Sequence, residues 1–198
     1  MLSFATLGPA GSSHELVTRR YAEFIGLRDA RIELVLEFAP AVELLRDGRV
    51  DCIVQCAAHP DVAWTIGANR TLLFVMDTFI APGRSLGILT RVEVATPSTI
   101  AFHPATRSYA NLDRWERHVE EQSTVAVAEG LLSGRYDSGI TALEVAEAYP
   151  GRLRVDATIG AVDDAWLVYG PGRVCEDGLV AWPGSPGARW LRERAARS

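Results

Sequence analysis

The chain of 198 residues is 48% apolar with a formal charge of -5. That composition supplies a real core for one domain or two small lobes, and the acidic balance argues against a nucleic-acid partner. There is no run of 18 apolar residues, and no basic flank with an apolar block and cleavage site opens the chain, so a cytoplasmic location with no membrane partner is expected.

Three cysteines, Cys52, Cys56 and Cys175, are odd in number and lack Cys-x-x-Cys spacing, which supports neither a disulfide framework nor a zinc site. Residues 5–7 form a short apolar strand that turns through Gly8, Pro9, Ala10 and Gly11 into a helix. Ser12 and Glu15 have capping-box spacing, and the helix they start runs through Val17, Tyr21 and Phe24. The first N–H groups of that helix and its dipole favour an anion. A small carboxylate or phosphate is the natural guest, and a turn from Gly8 to Ser13 that merely caps its own helix through Ser12 is the alternative.

Residues 32–36 read as a strand, and 40–47 as a short helix with Pro40 near its start and Gly48 past its end. Residues 51–55 are an apolar run of the kind buried in a parallel sheet, and they empty into the loop of Cys56, Ala57, Ala58, His59 and Pro60. Residues 72–80 and 86–90 flank Ala81, Pro82, Gly83, Arg84 and Ser85, a predicted hairpin that carries the chain into a second lobe. There the alternation repeats, with a strand at 98–102, a helix at 106–118, a strand at 119–122 and a helix capped by Ser123 and Thr124 that ends near Gly134. Residues 138–140 add a strand, and Thr141 with Glu144 forms a second capping box. Residues 155–159 and 165–169 are return strands. A loop-rich stretch with Pro171, Pro183 and Pro186 precedes a last helix, whose arginines from Arg189 to Arg197 read as a solvated helix end.

Regular strand–helix alternation calls for an α/β fold of parallel, helix-covered sheets joined by two crossings. The expected lobes are 1–77 as the first part of lobe 1, 78–160 as lobe 2, and 161–198 as the return strand and tail helix. They close about crossings near 77–80 and 158–162. Ligands of such sheets lie beyond the C-terminal strand ends, here the loops after Leu7, Val54, Phe102, Gln122 and Ile140. Facing one another across a cleft, these loops would surround a small anionic carboxylate.

The stretch from Thr6 to His14 resembles the opening signature of prephenate dehydratases, a strand followed by Leu-Gly-Pro-x-Gly-Ser/Thr and a Ser-His pair. His103 and Pro104 resemble that family's Ser-His-Pro motif, with Phe102 in place of its serine. Ser123 and Thr124, followed by Ala126 and Ala128, are similar to its Ser-Thr-x-x-Ala helix start. The resemblance spans roughly residues 4–170 and implies a two-lobed fold of the type II periplasmic-binding-protein-like kind, with prephenate in the cleft. The return strand departs from the family. Dehydratases carry Asn-x-Thr-Arg-Phe there, with the threonine implicated as an acid, whereas this chain has Val162, Asp163, Asp164, Ala165 and Trp166. Their Pro-Ile-Glu-Asn-Ser loop is replaced by Gln55, Cys56, Ala57, Ala58 and His59. About 28 residues follow Gly170, too few for the regulatory ACT domain that many dehydratases append.

The prephenate decarboxylases of bacterial secondary metabolism share these losses, among them the enzyme that begins anticapsin and bacilysin assembly. They look like this chain in the opening motif, the His-Pro, the Ser-Thr helix start and a return-strand tryptophan, matched by Trp166. Their Pro-His loop is Gln55-Cys56 here, with His59 three positions on. The resemblance implies a cofactor-independent carbon–carbon lyase of antibiotic biosynthesis. Without the acid, the ring hydroxyl stays. Loss of the ring carboxylate is then captured by a proton on carbon, giving a non-aromatic hydroxycyclohexadienyl pyruvate. No metal or organic cofactor is required. Two alternatives stay open, a dehydratase-type lyase with a replacement acid and an intracellular, non-catalytic carboxylate-binding module.

The candidate proton sources are His103, His59 and His14. For His103, satisfaction by neighbouring backbone is the alternative, and His118 is read as a helix-end residue. The candidate substrate contacts are Ser12, Ser13, Gln55, Cys56, Arg107, Ser123, Thr124, Thr141 and Trp166. Arg107 is read either as a second-carboxylate ligand or as a solvated arginine, and Trp166 as a ring-pocket wall or a core residue. Cys56 has the alternatives of nucleophile and plain buried thiol. Association as a homodimer is left open.

Overall fold

The computed structural model describes residues 1–174, 176, 178–182 and 184–196, with Arg194 in its backbone only. Cys175, Pro183 and Arg197, all noted in the sequence, lie outside the described residues. Two five-stranded sheets organise the molecule. The first has the order β2-β1-β3-β10-β4, built from β1 (Ser3–Leu7), β2 (Arg31–Val35), β3 (Cys52–Cys56), β4 (Phe74–Pro82) and β10 (Asp163–Gly170). The second has the order β7-β6-β8-β5-β9, built from β5 (Leu86–Arg91), β6 (Thr99–Phe102), β7 (Arg117–Glu120), β8 (Ser138–Ala142) and β9 (Leu153–Gly160).

Each sheet is mixed rather than purely parallel. In the first, β1 pairs in parallel with β2 and β3, and β10 runs antiparallel to both β3 and β4. In the second, β6 pairs in parallel with β7 and β8, and β5 runs antiparallel to β8 and β9. The strands that enter each sheet from the other, β10 and β5, are the ones that run against their neighbours.

Both faces of each sheet are covered by core. In the first sheet, α2 (Phe38–Arg46) buries Phe38, Ala41, Val42 and Leu45 on one face, and α1 (Ser13–Phe24) buries Val17, Tyr21 and Ala22 on the other. Burying such side chains contributes roughly 1.5–3 kcal/mol each. In the second, α4 (Thr124–Leu132) lays Val127 and Leu131 over Leu89 and Ala101. This packing is close enough to require glycine beneath it, because a Cβ at Gly139 would stand 2.4 Å from Cγ1 of Val127.

Several sequence expectations are corrected. Residues 81–85 form no hairpin, because β4 and β5 belong to different sheets. The first crossing is 83–85, and β4 pairs with β10 as far as Pro82 opposite Asp163, so the expected lobe boundary at 77/78 falls inside a strand of the first sheet. The return crossing is 161–162, between the end of β9 and the start of β10. The helix expected at 106–118 is a 3-10 helix at Pro104–Tyr109, started by Pro104, and an irregular segment after it. In that segment Leu112 and Trp115 reach the core without a helix, while Oδ1 of Asn111 accepts from the N–H of Asp113. His118 therefore lies in β7, with Nε2 at 3.0 Å from the Leu112 carbonyl. Thr141 and Glu144 form no capping box, since Thr141 is a β8 residue and α5 (Glu144–Ala148) has no side-chain cap. A helix that the sequence did not announce, α3 (Val62–Ala68), covers the turn after β3. The last helix is α6 (Pro186–Ala195).

Candidate active site

Strand ends and helix starts meet between the two sheets. A cavity of about 110 Å³ opens there, lined from the first lobe by residues of the β1–α1 turn and the loop after β3. The second lobe contributes the loops after β6 and β7. Four of the five expected strand-end loops thus reach it, while the loop after β8 contributes no lining residue among those described.

The β1–α1 turn is fixed by its own hydrogen bonds. Gly11 takes φ +85°, a conformation that glycine adopts without strain. Ser12 Oγ accepts from the N–H of Glu15 at 3.1 Å and donates to the Leu7 carbonyl at 2.7 Å. Glu15 reaches back to the N–H of Gly11 rather than to that of Ser12, and this bond, with Arg19, holds its carboxyl below the usual range. Ser12 therefore lines the cavity as a cap whose hydroxyl proton is already engaged. Ser13 differs, because its Oγ accepts from the N–H of Arg84 at 3.2 Å and keeps its own proton to give. On the opposite wall, Ser123 caps α4 by accepting from Ala126 at 3.0 Å, and Thr124 stands in the first turn. Both line the cavity.

All three candidate histidines converge here. The ring centroids of His14 and His59 are 5.9 Å apart, and those of His59 and His103 are 5.8 Å apart. Nε2 of His14 accepts from the N–H of Cys56 at 3.2 Å. Nδ1 of His59 accepts from Asp61 at 3.1 Å, and Nδ1 of His103 from Ala105 at 3.2 Å. An accepting nitrogen is unprotonated, so the protons are assigned to Nδ1 of His14 and to Nε2 of the other two. Burial lowers all three pKa values, to about 3 for His14 and about 4 for His103, with the neighbouring rings adding to the shift in those two. Three neutral rings therefore offer N–H groups in a poorly solvated space. His103 meets its backbone-satisfied alternative on one nitrogen and keeps the other.

Trp166 forms an apolar wall. It is buried, donates from Nε1 to the Ala81 carbonyl at 3.0 Å, and meets the His14 ring edge-on at 5.1 Å. Cys56 also lines the cavity, but burial, the leading cause, pushes its thiol up to about 11. That is a poor nucleophile at neutral pH.

Three expected contacts lie elsewhere. Gln55 is fully buried on the α2 side of β3, where its Oε1 accepts from the hydroxyl of Tyr169 at 3.0 Å, because strand alternation turns it away from the face of Cys56. Thr141 is buried and donates to the Thr124 carbonyl at 2.6 Å, fixing the base of α4. Arg107 lies exposed, its guanidinium 5.6 Å from the Phe102 ring centroid.

Two groups that the sequence reading passed over take their place. Arg84, on the first crossing, lines the cavity, pairs through Nη1 with Glu144, and keeps a buried Nε without a partner. Asp164 lines it from β10, and burial, then Asp163, raises its pKa. Its charge in turn helps push up the Cys56 thiol and the Tyr109 phenol, after burial. Period-two alternation from Trp166 was the available signal for Asp164. Nothing in the loop residues 81–85 singled out Arg84. Among the described residues, no group of three or more His, Cys, Asp and Glu side chains is placed to hold a metal ion.

Fold and cleft together define a two-lobed α/β protein of the periplasmic-binding-protein-like class. No family model matches the chain, and no curated protein matches it. Among solved structures it is similar to a prephenate dehydratase from Arthrobacter aurescens in complex with L-Phe, at 22% identity and a TM-score of 0.64, over 99% of this chain and 73% of that one. It is also similar to a periplasmic domain of BvgS from Bordetella pertussis, at 14% identity and a TM-score of 0.54, over 85% and 80% of the two chains. A third likeness is to GqqA, described as a novel type of quorum quenching acylase, at 16% identity and a TM-score of 0.54, over 95% and 74%. At these identities what is shared is the fold. Among the described residues no helix is long and apolar enough to cross a membrane.

Proposed function

We propose that this protein is a cytoplasmic, cofactor-independent lyase that decarboxylates prephenate or a close analogue to a non-aromatic hydroxycyclohexadienyl pyruvate, in the manner of the secondary-metabolism decarboxylases its sequence resembles. The supporting observation is the cavity wall on β10, where Asp164 and Trp166 face the site and no hydroxyl does. The N–H groups of His14, His59 and His103, with the N-terminal turns of α1 and α4, would hold the carboxylate that stays. The departing carboxylate would be shielded from water inside the cavity. As the bond from ring carbon to carboxylate breaks, its electron pair enters the diene and forms a new C–H bond with the proton of Asp164. A bound dianion raises the pKa of that carboxyl further. Incubation with prephenate near neutral pH, following carbon dioxide and ring products by NMR, should give the non-aromatic keto acid and one carbon dioxide. No turnover and no binding would overturn this reading.

Asp164 also favours a second reading, a dehydratase-type lyase in which its proton goes to the ring hydroxyl instead. Water and carbon dioxide then leave together, and the product is phenylpyruvate. The same spectra distinguish the two.

A further inference from the structure

We propose that Arg84 is the anchor for a second carboxylate of the ligand, and that Glu144 occupies its guanidinium as a competing carboxylate until the ligand arrives. The inference rests on the carboxylate-ligand reading above. Arg84 is the one lysine or arginine among the described residues that line the cavity. The histidines there are neutral and Asp164 is an acid, so no other positive side chain meets a dianion inside it.

The guanidinium is only partly committed. Its Nη1 contacts the Glu144 carboxylate, whose side chain is 55% exposed, whereas Nε is buried with no partner. An exposed ion pair contributes little, and the guanidinium of this cavity-lining residue keeps donors suited to two parallel hydrogen bonds with a carboxylate. Its position is fixed through the backbone, since the N–H of Arg84 donates to Ser13 Oγ in the first turn of α1. A Cβ on Gly83 would come within 3.2 Å of that same oxygen, so glycine lets the crossing approach α1. Arg84 therefore joins lobe 1 through its backbone and lobe 2 through Glu144. The ligand class that suits this arrangement is a dicarboxylate, with one carboxylate at the helix starts and the other on the Nε edge of Arg84.

The test is calorimetric titration of the parent, Arg84→Met and Glu144→Gln with three probes: prephenate, the monocarboxylate phenylpyruvate, and malonate as a small dicarboxylate. Arg84→Met should weaken prephenate and malonate about 10- to 100-fold, the loss of a charged hydrogen-bonding partner, and leave phenylpyruvate little changed. Glu144→Gln should tighten both dicarboxylates, because a competing carboxylate is gone, a gain that a merely structural ion pair would not give. Prephenate binding equal in the parent and Arg84→Met overturns the anchor and leaves the lyase reading standing. Arg84-dependent malonate binding without prephenate binding supports the anchor and removes prephenate. Unchanged or weaker dicarboxylate binding by Glu144→Gln overturns its competing role, and a parent that binds none of the three overturns both ideas.

Discussion

The N–H of Cys56 donates to Nε2 of His14 across 3.2 Å, joining the last residue of β3 to the first helix of the chain. Protonating that nitrogen would break the bond and strand a buried N–H. With His59 and His103 also held neutral by burial, the folded protein resists protons that the unfolded chain accepts below a pKa of about 6.5. Depressed histidine pKa values place more protons on the unfolded state, so stability falls with pH from about 6.5 towards about 4, the value for His103. Thermal melts across that window should show a falling Tm. His14→Gln, which keeps an acceptor and removes a titrating ring, should flatten the curve. A Tm as steep in the variant as in the parent counts against His14 as a contributor.

Ser12→Ala and Thr124→Ala should separate cap from ligand. Ser12 loses a cap worth about 1 kcal/mol, and the Leu7 carbonyl loses its buried donor, costing about 1–3 kcal/mol more. Its main effect is thus a lower Tm. Thr124 lines the cavity, and what supports the fold there is its carbonyl, which accepts from Thr141. Thr124→Ala should leave the melt nearly unmoved and raise the Kd for prephenate. The reverse pattern would exchange their roles.

Asp164→Asn removes the carboxyl proton while keeping size and polarity. A general acid is typically worth 10²–10⁴-fold, so turnover of prephenate should fall by about that factor with KM changed far less. Turnover within a few-fold of the parent would move the proton source to the histidines.

Ligand binding should draw the lobes together about 83–85 and 161–162, since donors stand on both sides of the cavity. Solution scattering with saturating prephenate should give a smaller radius of gyration than the free protein. Superimposable curves would remove the hinge.

Much of this architecture is legible in local signals. Ser12 with Glu15, Ser123 before α4, and the short apolar runs of β1, β3 and β8 announce themselves through caps and periodicity. The convergence of His14, His59 and His103 follows once strand ends are placed on one side of two sheets. What failed was mostly side-chain direction. Gln55 and Cys56 are neighbours in sequence but face opposite sides of β3, and only Cys56 reaches the cavity. Arg107 stands in a short 3-10 helix and not at the start of the longer helix that strand–helix alternation calls for. Arg84 gave no signal, because its role depends on Glu144, 60 residues away in sequence.

The position of β10 bears on the order in which the lobes are completed. It lies between β3 and β4 in the first sheet, although the whole second sheet precedes it in the chain. During synthesis, every strand from β5 to β9 is made before Asp163, so the second lobe can close by itself from contiguous chain. Until then β3 and β4 lack the neighbour that joins them, and the first sheet exposes two unpaired edges of the kind that invite wrong partners. The amino-terminal lobe begins first and finishes last.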